Sequence, residues 1–146
     1  MNKKKKISFI LNLILLGWFF LAMTGVYFGK NILVTRSYKE DGIFFAVFAA
    51  AFLLFLLKDN IGRYILLIWL SMWFVTQFYS HWYFTLFGPW EGKNEYFADT
   101  IKLVPVSGIY IPDLYHIVLH ILILSAFVST SVFLVSAIKD KKRKIV

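Results

Sequence analysis

The sequence contains no cysteine, which excludes disulfide bridges, thiolate metal sites, cysteine nucleophiles and lipidated cysteines. Charged residues make up only 16% of the 146 residues, too few to coat a water-exposed globule of this size. The P-loop, the glycine pattern of dinucleotide-binding folds, Gly-x-Ser-x-Gly and His-Glu-x-x-His are also missing. These absences argue against the common nucleotide-binding enzymes, serine hydrolases and zinc proteases.

What the chain has in excess is apolar and aromatic side chains. Hydrophobic residues reach 60% and aromatic residues 20%, with a mean hydropathy of +0.70. Four apolar runs, 7–28, 42–57, 64–87 and 114–138, have the composition of membrane-spanning helices. The second run is short for a crossing, so we expect a thinner bilayer there or a helix that begins several residues earlier. Its small residues, Ala46 and Ala49 to Ala51, suit close helix packing. Residues 58–63 are predicted as a tight turn, because Asn60 and Gly62 favour turns. The sequence therefore predicts an all-α membrane protein, a four-transmembrane-helix bundle that forms a single domain over residues 1–146.

The first run could also be the core of a signal peptide, since four lysines precede it. It is longer than such a core usually is, and Ala22-Met23-Thr24 matches a cleavage site poorly. We therefore interpret the first run as an uncleaved helix.

The net charge of +8 comes from basic residues that flank the apolar runs. This arrangement is typical of topology determinants and argues against nucleic-acid binding. With four spans, both termini and the segment between the second and third runs share one side. That side carries eleven of the 16 Lys and Arg residues, namely Lys3, Lys4, Lys5, Lys6, Lys58, Arg63, Lys139, Lys141, Lys142, Arg143 and Lys144. We therefore expect both termini to be cytoplasmic and the lipid bilayer, of a bacterial plasma membrane, to be the main partner.

The segment 88–113 is the longest part of the chain outside the predicted helices. Gly88-Pro89 should end the third helix, because proline cannot continue it. The segment carries the aromatic residues Trp90, Tyr96, Phe97 and Tyr110, so we expect it to pack on the bundle on the extracytoplasmic side. Residues 101–111 favour a small hairpin over the bundle, and loops of this length are often lids.

Two of the three histidines follow this loop in the pattern Asp113-x-x-His116-x-x-x-His120. Offsets of three and seven residues fall on one face of a helix. Asp113 comes just before the fourth run, where it would be the N-cap of the helix or an acid of its first turn. His81 lies near the end of the third run at the same predicted depth. Gln77 and Thr85 flank it at helical spacing, and we expect them to form interhelical hydrogen bonds. The sequence therefore predicts that all three histidines meet beneath the aromatic loop.

Three interpretations of this cluster remain open at the level of sequence. Imidazoles with a nearby carboxylate suit a metal site for Zn, Cu or Fe formed by Asp113, His116, His120 and His81, and His81 with His120 would suit a single haem. Alternatively, the protein is a non-catalytic accessory subunit that binds a membrane-protein partner or a second copy of itself, and its histidines only hydrogen-bond at the interface. The third interpretation is a lipid- or quinone-binding membrane enzyme with a histidine as acid or base.

Overall fold

The computed structural model describes residues 2–89, 91–104 and 106–143. Three residues with predicted roles lie outside these ranges: Trp90 of the aromatic loop, Pro105 of the predicted hairpin and the basic residue Lys144. The elements in chain order are α1 (Lys3–Thr24), β1 (Val26–Phe28), β2 (Asn31–Val34), α2 (Tyr38–Leu57), α3 (Asp59–Phe87), α4 (Lys93–Tyr96) and α5 (Leu114–Arg143).

Four helices, α1, α2, α3 and α5, are long and apolar enough to cross a membrane. Helix α1 packs on α2 and α5, and α3 packs on the same two helices, so the four form a closed bundle. At one end, the termini end, Lys4 of α1 donates a hydrogen bond to Ser136 of α5. At the other end, the loop end, the segments that follow α1 and α3 meet. The predicted four-helix architecture is therefore present.

Two predicted helix boundaries were wrong, and a third expectation was confirmed. Residues 26–28, predicted as the end of the first helix, form β1, because Gly25 adopts a positive φ of 74° and ends α1. Residues 59–63, predicted as a turn, are the first residues of α3, with Lys58 as the break after α2. Helix α2 begins at Tyr38, so the early start, one of the two expectations for the short second run, is confirmed.

The predicted hairpin was also misplaced. The described residues of 101–111 contain no strand, whereas β1 and β2 form an antiparallel hairpin in the preceding loop. Gly29, with φ of 62°, provides the turn between two β-favouring stretches. Ile32 of β2 then joins the second loop, accepting a hydrogen bond from Ile101 and donating one to Asp99. This hairpin ties the two loops together above the bundle.

A glycine sets the closest contact between helices. Gly62 is buried in α3, and a Cβ atom there would collide with backbone atoms of Leu54 and Phe55 in α2. The sequence predicts Gly62 as a turn residue, but Gly62 lies within α3. The sequence also predicts close packing at the alanines of α2. Of those alanines Ala51 is buried, but Ala50 is exposed. The close approach of α2 and α3 therefore depends on Gly62.

Candidate functional site

The three histidines meet at the loop end of the bundle, as their predicted depth indicates. The ring centroid of His81 in α3 lies 4.2 Å from that of His116 and 5.4 Å from that of His120, both in α5. The centroids of His116 and His120 are 6.4 Å apart. Three imidazoles this close would repel one another strongly if all of them were charged.

His81 lies in a π-helical turn, Phe78–Tyr83, within α3. A π turn inserts one residue into the helix and rotates the residues that follow, and such turns often occur at functional sites. Thr85 donates a hydrogen bond to the His81 carbonyl of its own helix, as Ser and Thr often do in helices, and the expected interhelical bond from Thr85 was wrong. The turn also exposes the Ser80 carbonyl to a side-chain donor from the loop.

His120 has both ring nitrogens engaged by α3. The Trp82 indole N–H donates to Nδ1 of His120 at 2.9 Å, so the ring proton must be on Nε2. Nε2 then donates to the Oε1 atom of Gln77 at 3.1 Å. This confirms the expected interhelical role of Gln77. With both nitrogens occupied, His120 joins α3 to α5 and has no lone pair for a metal or a substrate.

Asp113 and His116 form a second pair at the start of α5. Oδ1 of Asp113 accepts from the His116 backbone N–H at 2.9 Å, which makes Asp113 the predicted N-cap. The same oxygen lies 2.7 Å from Nδ1 of His116. Burial raises the pKa of Asp113, but the hydrogen bonds from the side chain and backbone of His116 and the charge of Lys102 outweigh it, and the pKa of Asp113 is lowered. An ionised carboxylate only accepts, so Nδ1 of His116 carries a proton, and in the neutral imidazole Nε2 then presents a lone pair.

His81 pairs with a tyrosine from the long loop. Its Nδ1 lies 2.6 Å from the Tyr110 hydroxyl, and both side chains are buried. Burial, helped by the charge of Asp113, raises the pKa of Tyr110. Tyr110 therefore remains a neutral phenol that holds the loop against α3. Sequence reasoning named Tyr110 only as one of several loop aromatics, and no spacing rule links it to His81.

A buried lysine holds the same loop in place. Lys93 of α4 is 1% exposed, and its ammonium donates to the Ser80 carbonyl at 2.6 Å. It also lies 4.6 Å from the ring centroid of Tyr110 and 4.8 Å from that of Phe84, a cation–π arrangement. Burial lowers the pKa of Lys93 to about 8. The sequence analysis counted this residue only as a loop charge.

The lysine predicts a pH dependence of stability. Between about pH 8 and 10.5 the unfolded chain holds a proton on Lys93 that the folded chain has released, so stability rises with pH in this window and is level below it. Tyrosines ionise at the upper end, so the useful range is about pH 8 to 9.5. We expect thermal unfolding in detergent to show this rise in the wild type and a smaller rise in Lys93→Met, where Lys102, whose pKa burial also lowers, still contributes. Lys30→Met, at an exposed lysine of the other loop, is the control and should keep the rise. An unchanged slope in Lys93→Met would contradict the assignment.

A cavity of about 270 Å³ lies beside this cluster, between the hairpin loop, α4 and the helices. One part of its wall is apolar and consists of Phe19, Ala22, Val34, Phe44, Trp73, Phe97 and Leu119. The other part carries polar groups, namely Thr35, Ser37, Asp41, Thr76, Gln77, Ser80, Tyr96, Tyr115 and His116. Among the three histidines, His116 alone lines this cavity. The cavity therefore suits an amphipathic organic molecule next to an imidazole base.

The metal-site prediction finds less support. Within residues 2–89, 91–104 and 106–143, no group of three or more His, Asp or Glu side chains is arranged to hold a metal ion. The physical reason lies in the donor atoms. Both nitrogens of His120 and one nitrogen each of His81 and His116 are in hydrogen bonds. A metal or a haem could bind His120 only if one of its hydrogen bonds were broken, since a ligating nitrogen needs a free lone pair.

The sequence predicts one site formed by Asp113, His116, His120 and His81. In the structure His120 links α3 to α5, Asp113 pairs with His116, and His81 contacts Tyr110 of the loop. Comparison of the chain with known protein families, with characterised proteins and with solved structures finds no match. Function therefore has to be inferred from the site itself.

Proposed function

We propose that this protein crosses a bacterial plasma membrane four times with both termini in the cytoplasm. In this proposal the loop-end cavity binds the polar head of a lipid or a quinone, and Asp113 with His116 exchanges a proton with it. The topology is supported by the excess of basic residues at the termini end. In this orientation the cavity and the histidine cluster lie near the extracytoplasmic surface, within reach of molecules dissolved in the outer leaflet.

The observation that carries the proposal is the position of His116 in the cavity wall. Its Nδ1 is held by a carboxylate that is itself buried, which leaves Nε2 as the reactive nitrogen. A histidine whose second nitrogen is fixed by a carboxylate is well suited to act as a general base and then as a general acid. His116 would accept a proton from a hydroxyl of the bound molecule and return it in a later step.

The size of the cavity narrows the ligand class. Pockets for drug-sized ligands measure roughly 300–1,000 Å³, so a cavity of about 270 Å³ holds a ring or a headgroup and excludes a whole lipid. The aromatic part of the wall, which includes Trp73 and Phe44, suits a planar ring or an alkyl stem. The polar part suits hydroxyl or carbonyl groups. An amphiphile whose tail stays in the bilayer fits these limits.

The ligand assignment predicts that filling the cavity removes the ligand. Thr76 lines the cavity and is exposed, and its hydroxyl donates to the Met72 carbonyl of its own helix, so Thr76→Trp should fold and block the cavity. The matched control is Val75→Trp, an exposed neighbour that does not line the cavity. We expect mass spectrometry to find a lipid or a quinone with the wild type and the control, and at least tenfold less with Thr76→Trp. Equal retention by Thr76→Trp would contradict the proposal.

A metal ion at Asp113, His116, His120 and His81, or a haem at His81 and His120, is the competing proposal, and the short distances between the three rings favour it. It predicts stoichiometric Zn, Cu or Fe by elemental analysis, or a haem absorption band, in protein purified from native membranes. Because both ring nitrogens of His120 are already hydrogen-bonded, we expect neither signal.

The accessory-subunit proposal has one supporting feature, an apolar groove of about 340 Å³ between α2 and α3. Trp69 lies in this groove, and its indole N–H has no acceptor among the described residues. That nitrogen is buried within the chain, so the support for a partner comes from the apolar lining of the groove, which a partner helix or a second copy would cover. Cross-linking from the neighbouring Met72→Cys in native membranes would show such a partner.

A further inference from the structure

A second pocket lies at the termini end, far from the histidine cluster. It measures about 520 Å³ and is lined by residues from the start of α1 and the last turns of α5. Three of the lining side chains are cationic, Lys4, Lys139 and Arg143, and one is acidic, Asp140. The charge of the three cations exceeds that of the single acid together with the partial negative charge at the C-terminal end of α5, both of which repel an anion. The wall of this pocket is therefore suited to a negatively charged group.

The lining residues of α5 change character along the helix. Positions 132, 136, 139 and 143 follow at spacings of three and four residues, and position 135 lies three residues after 132 and four before 139, so all five share one face. Val132 and Val135, each about half exposed, lie at the deep end of this face, Ser136 lies in the middle, and Lys139 and Arg143 lie at the end. The distance along the axis from 132 to 143 is roughly 16 Å. A ligand with a charged head and an apolar stem would match this order.

Helix α1 closes the pocket from the other side. The Lys4 ammonium donates to the Ser136 hydroxyl at 2.9 Å, which places a cation from the N-terminus over the polar middle of the pocket. An ammonium has three donors, and this bond uses one of them. Lys4 can therefore hold Ser136 and contact an anion together.

We propose that this pocket binds the phosphate of an anionic phospholipid. The phosphate lies among Lys4, Lys139 and Arg143, and an acyl chain runs along Val132 and Val135. Basic pockets between transmembrane helices on the cytoplasmic side are suited to such headgroups. The same cations would also attract free phosphate, and the apolar end of the pocket favours the lipid. This inference is independent of the loop-end site.

Native mass spectrometry of the full-length protein with phosphatidylglycerol or phosphatidylcholine tests the proposal. The pocket variant is Lys4→Gln with Lys139→Gln and Arg143→Gln. Its matched control, Lys3→Gln with Lys6→Gln and Lys141→Gln, removes three positive charges from the same end but none that lines the pocket. Each cation near an anionic lipid contributes enough for roughly a fivefold change in affinity. We expect phosphatidylglycerol binding to fall about 100-fold in the pocket variant and less than fivefold in the control.

Three results would overturn the proposal. An equal fall in both variants would mean diffuse attraction to basic helix ends. Equal binding of phosphatidylcholine by the wild type would remove the role of charge. Displacement of phosphatidylglycerol by millimolar inorganic phosphate would assign the pocket to the free anion. If the pocket variant does not fold, the salt dependence of phosphatidylglycerol binding by the wild type tests the proposal instead. Raising the ionic strength from 0.1 to 1 M shortens the Debye length from about 10 to 3 Å, and phosphatidylglycerol occupancy that does not fall would equally overturn the proposal.

Discussion

Gly62→Val is expected to abolish folded protein, or to destabilise it by about 3 kcal/mol or more. The Cβ atom alone would collide with the backbone carbonyl of Leu54 and the backbone nitrogen of Phe55. Backbone atoms cannot rotate away as the tip of a side chain can, so α2 and α3 would have to separate. This contact lies next to Phe55 and Leu66, both fully buried, and separation would open the core.

Size-exclusion chromatography and thermal unfolding in detergent measure this effect. The control is Gly17→Ala, because no atom lies within 4 Å of a Cβ added at Gly17 and alanine favours the helix by about 1 kcal/mol. Gly17→Ala should be neutral or stabilising. A monodisperse Gly62→Val protein that unfolds at the wild-type temperature would show that α2 and α3 do not pack this closely.

Asp113→Ala is expected to impair both stability and proton transfer. Oδ1 of Asp113 caps α5 and holds the His116 ring at the same time. Loss of an N-cap costs about 1 kcal/mol, and loss of a hydrogen bond to a charged group costs roughly 1.5–3 kcal/mol. We therefore expect a total loss of about 2–4 kcal/mol. Any activity that uses His116 as base should fall by roughly 10²–10⁴-fold.

Asp113→Asn separates the two roles. The amide oxygen can still cap the helix, so most of the stability should return, while the missing charge no longer fixes the proton on Nδ1 of His116. Activity on the molecule that copurifies with the protein should remain low in this variant. Full activity in Asp113→Asn would mean that the carboxylate serves only as a cap.

The sequence predicted the parts of the fold that depend on composition and period. Four apolar runs flanked by basic residues indicated four spanning helices, because a bilayer requires helices of about that length. Counting residues from the helix ends placed His81 at the depth of His120 and His116, and the rings do meet. The N-cap role of Asp113 followed from its place before the helix.

The parts that sequence reasoning missed depend on contacts between distant residues. No periodic pattern in the sequence indicates the π turn of α3, yet this turn determines where His81 and Trp82 lie. The Tyr110–His81 contact joins residues 29 positions apart through an irregular loop. The hairpin was different, because Gly29 between two β-favouring stretches is a readable turn signal. An apolar run that continued through residue 28 hid that signal.

The central claim is that His116 presents an unprotonated Nε2 to the cavity with Asp113 behind it. Nitrogen-15 NMR of histidine-labelled protein in lipid at about pH 8 tests this most directly, with one histidine-to-glutamine variant for each assignment. The account predicts a proton on Nδ1 and a bare Nε2 for His116, and the opposite tautomer for His120, whose Nδ1 accepts from Trp82. It also predicts that Thr76→Trp changes the Nε2 signal of His116 and leaves that of His120 in place. A proton on Nε2 of His116, or all three imidazoles shifting together when zinc is added, would contradict the account.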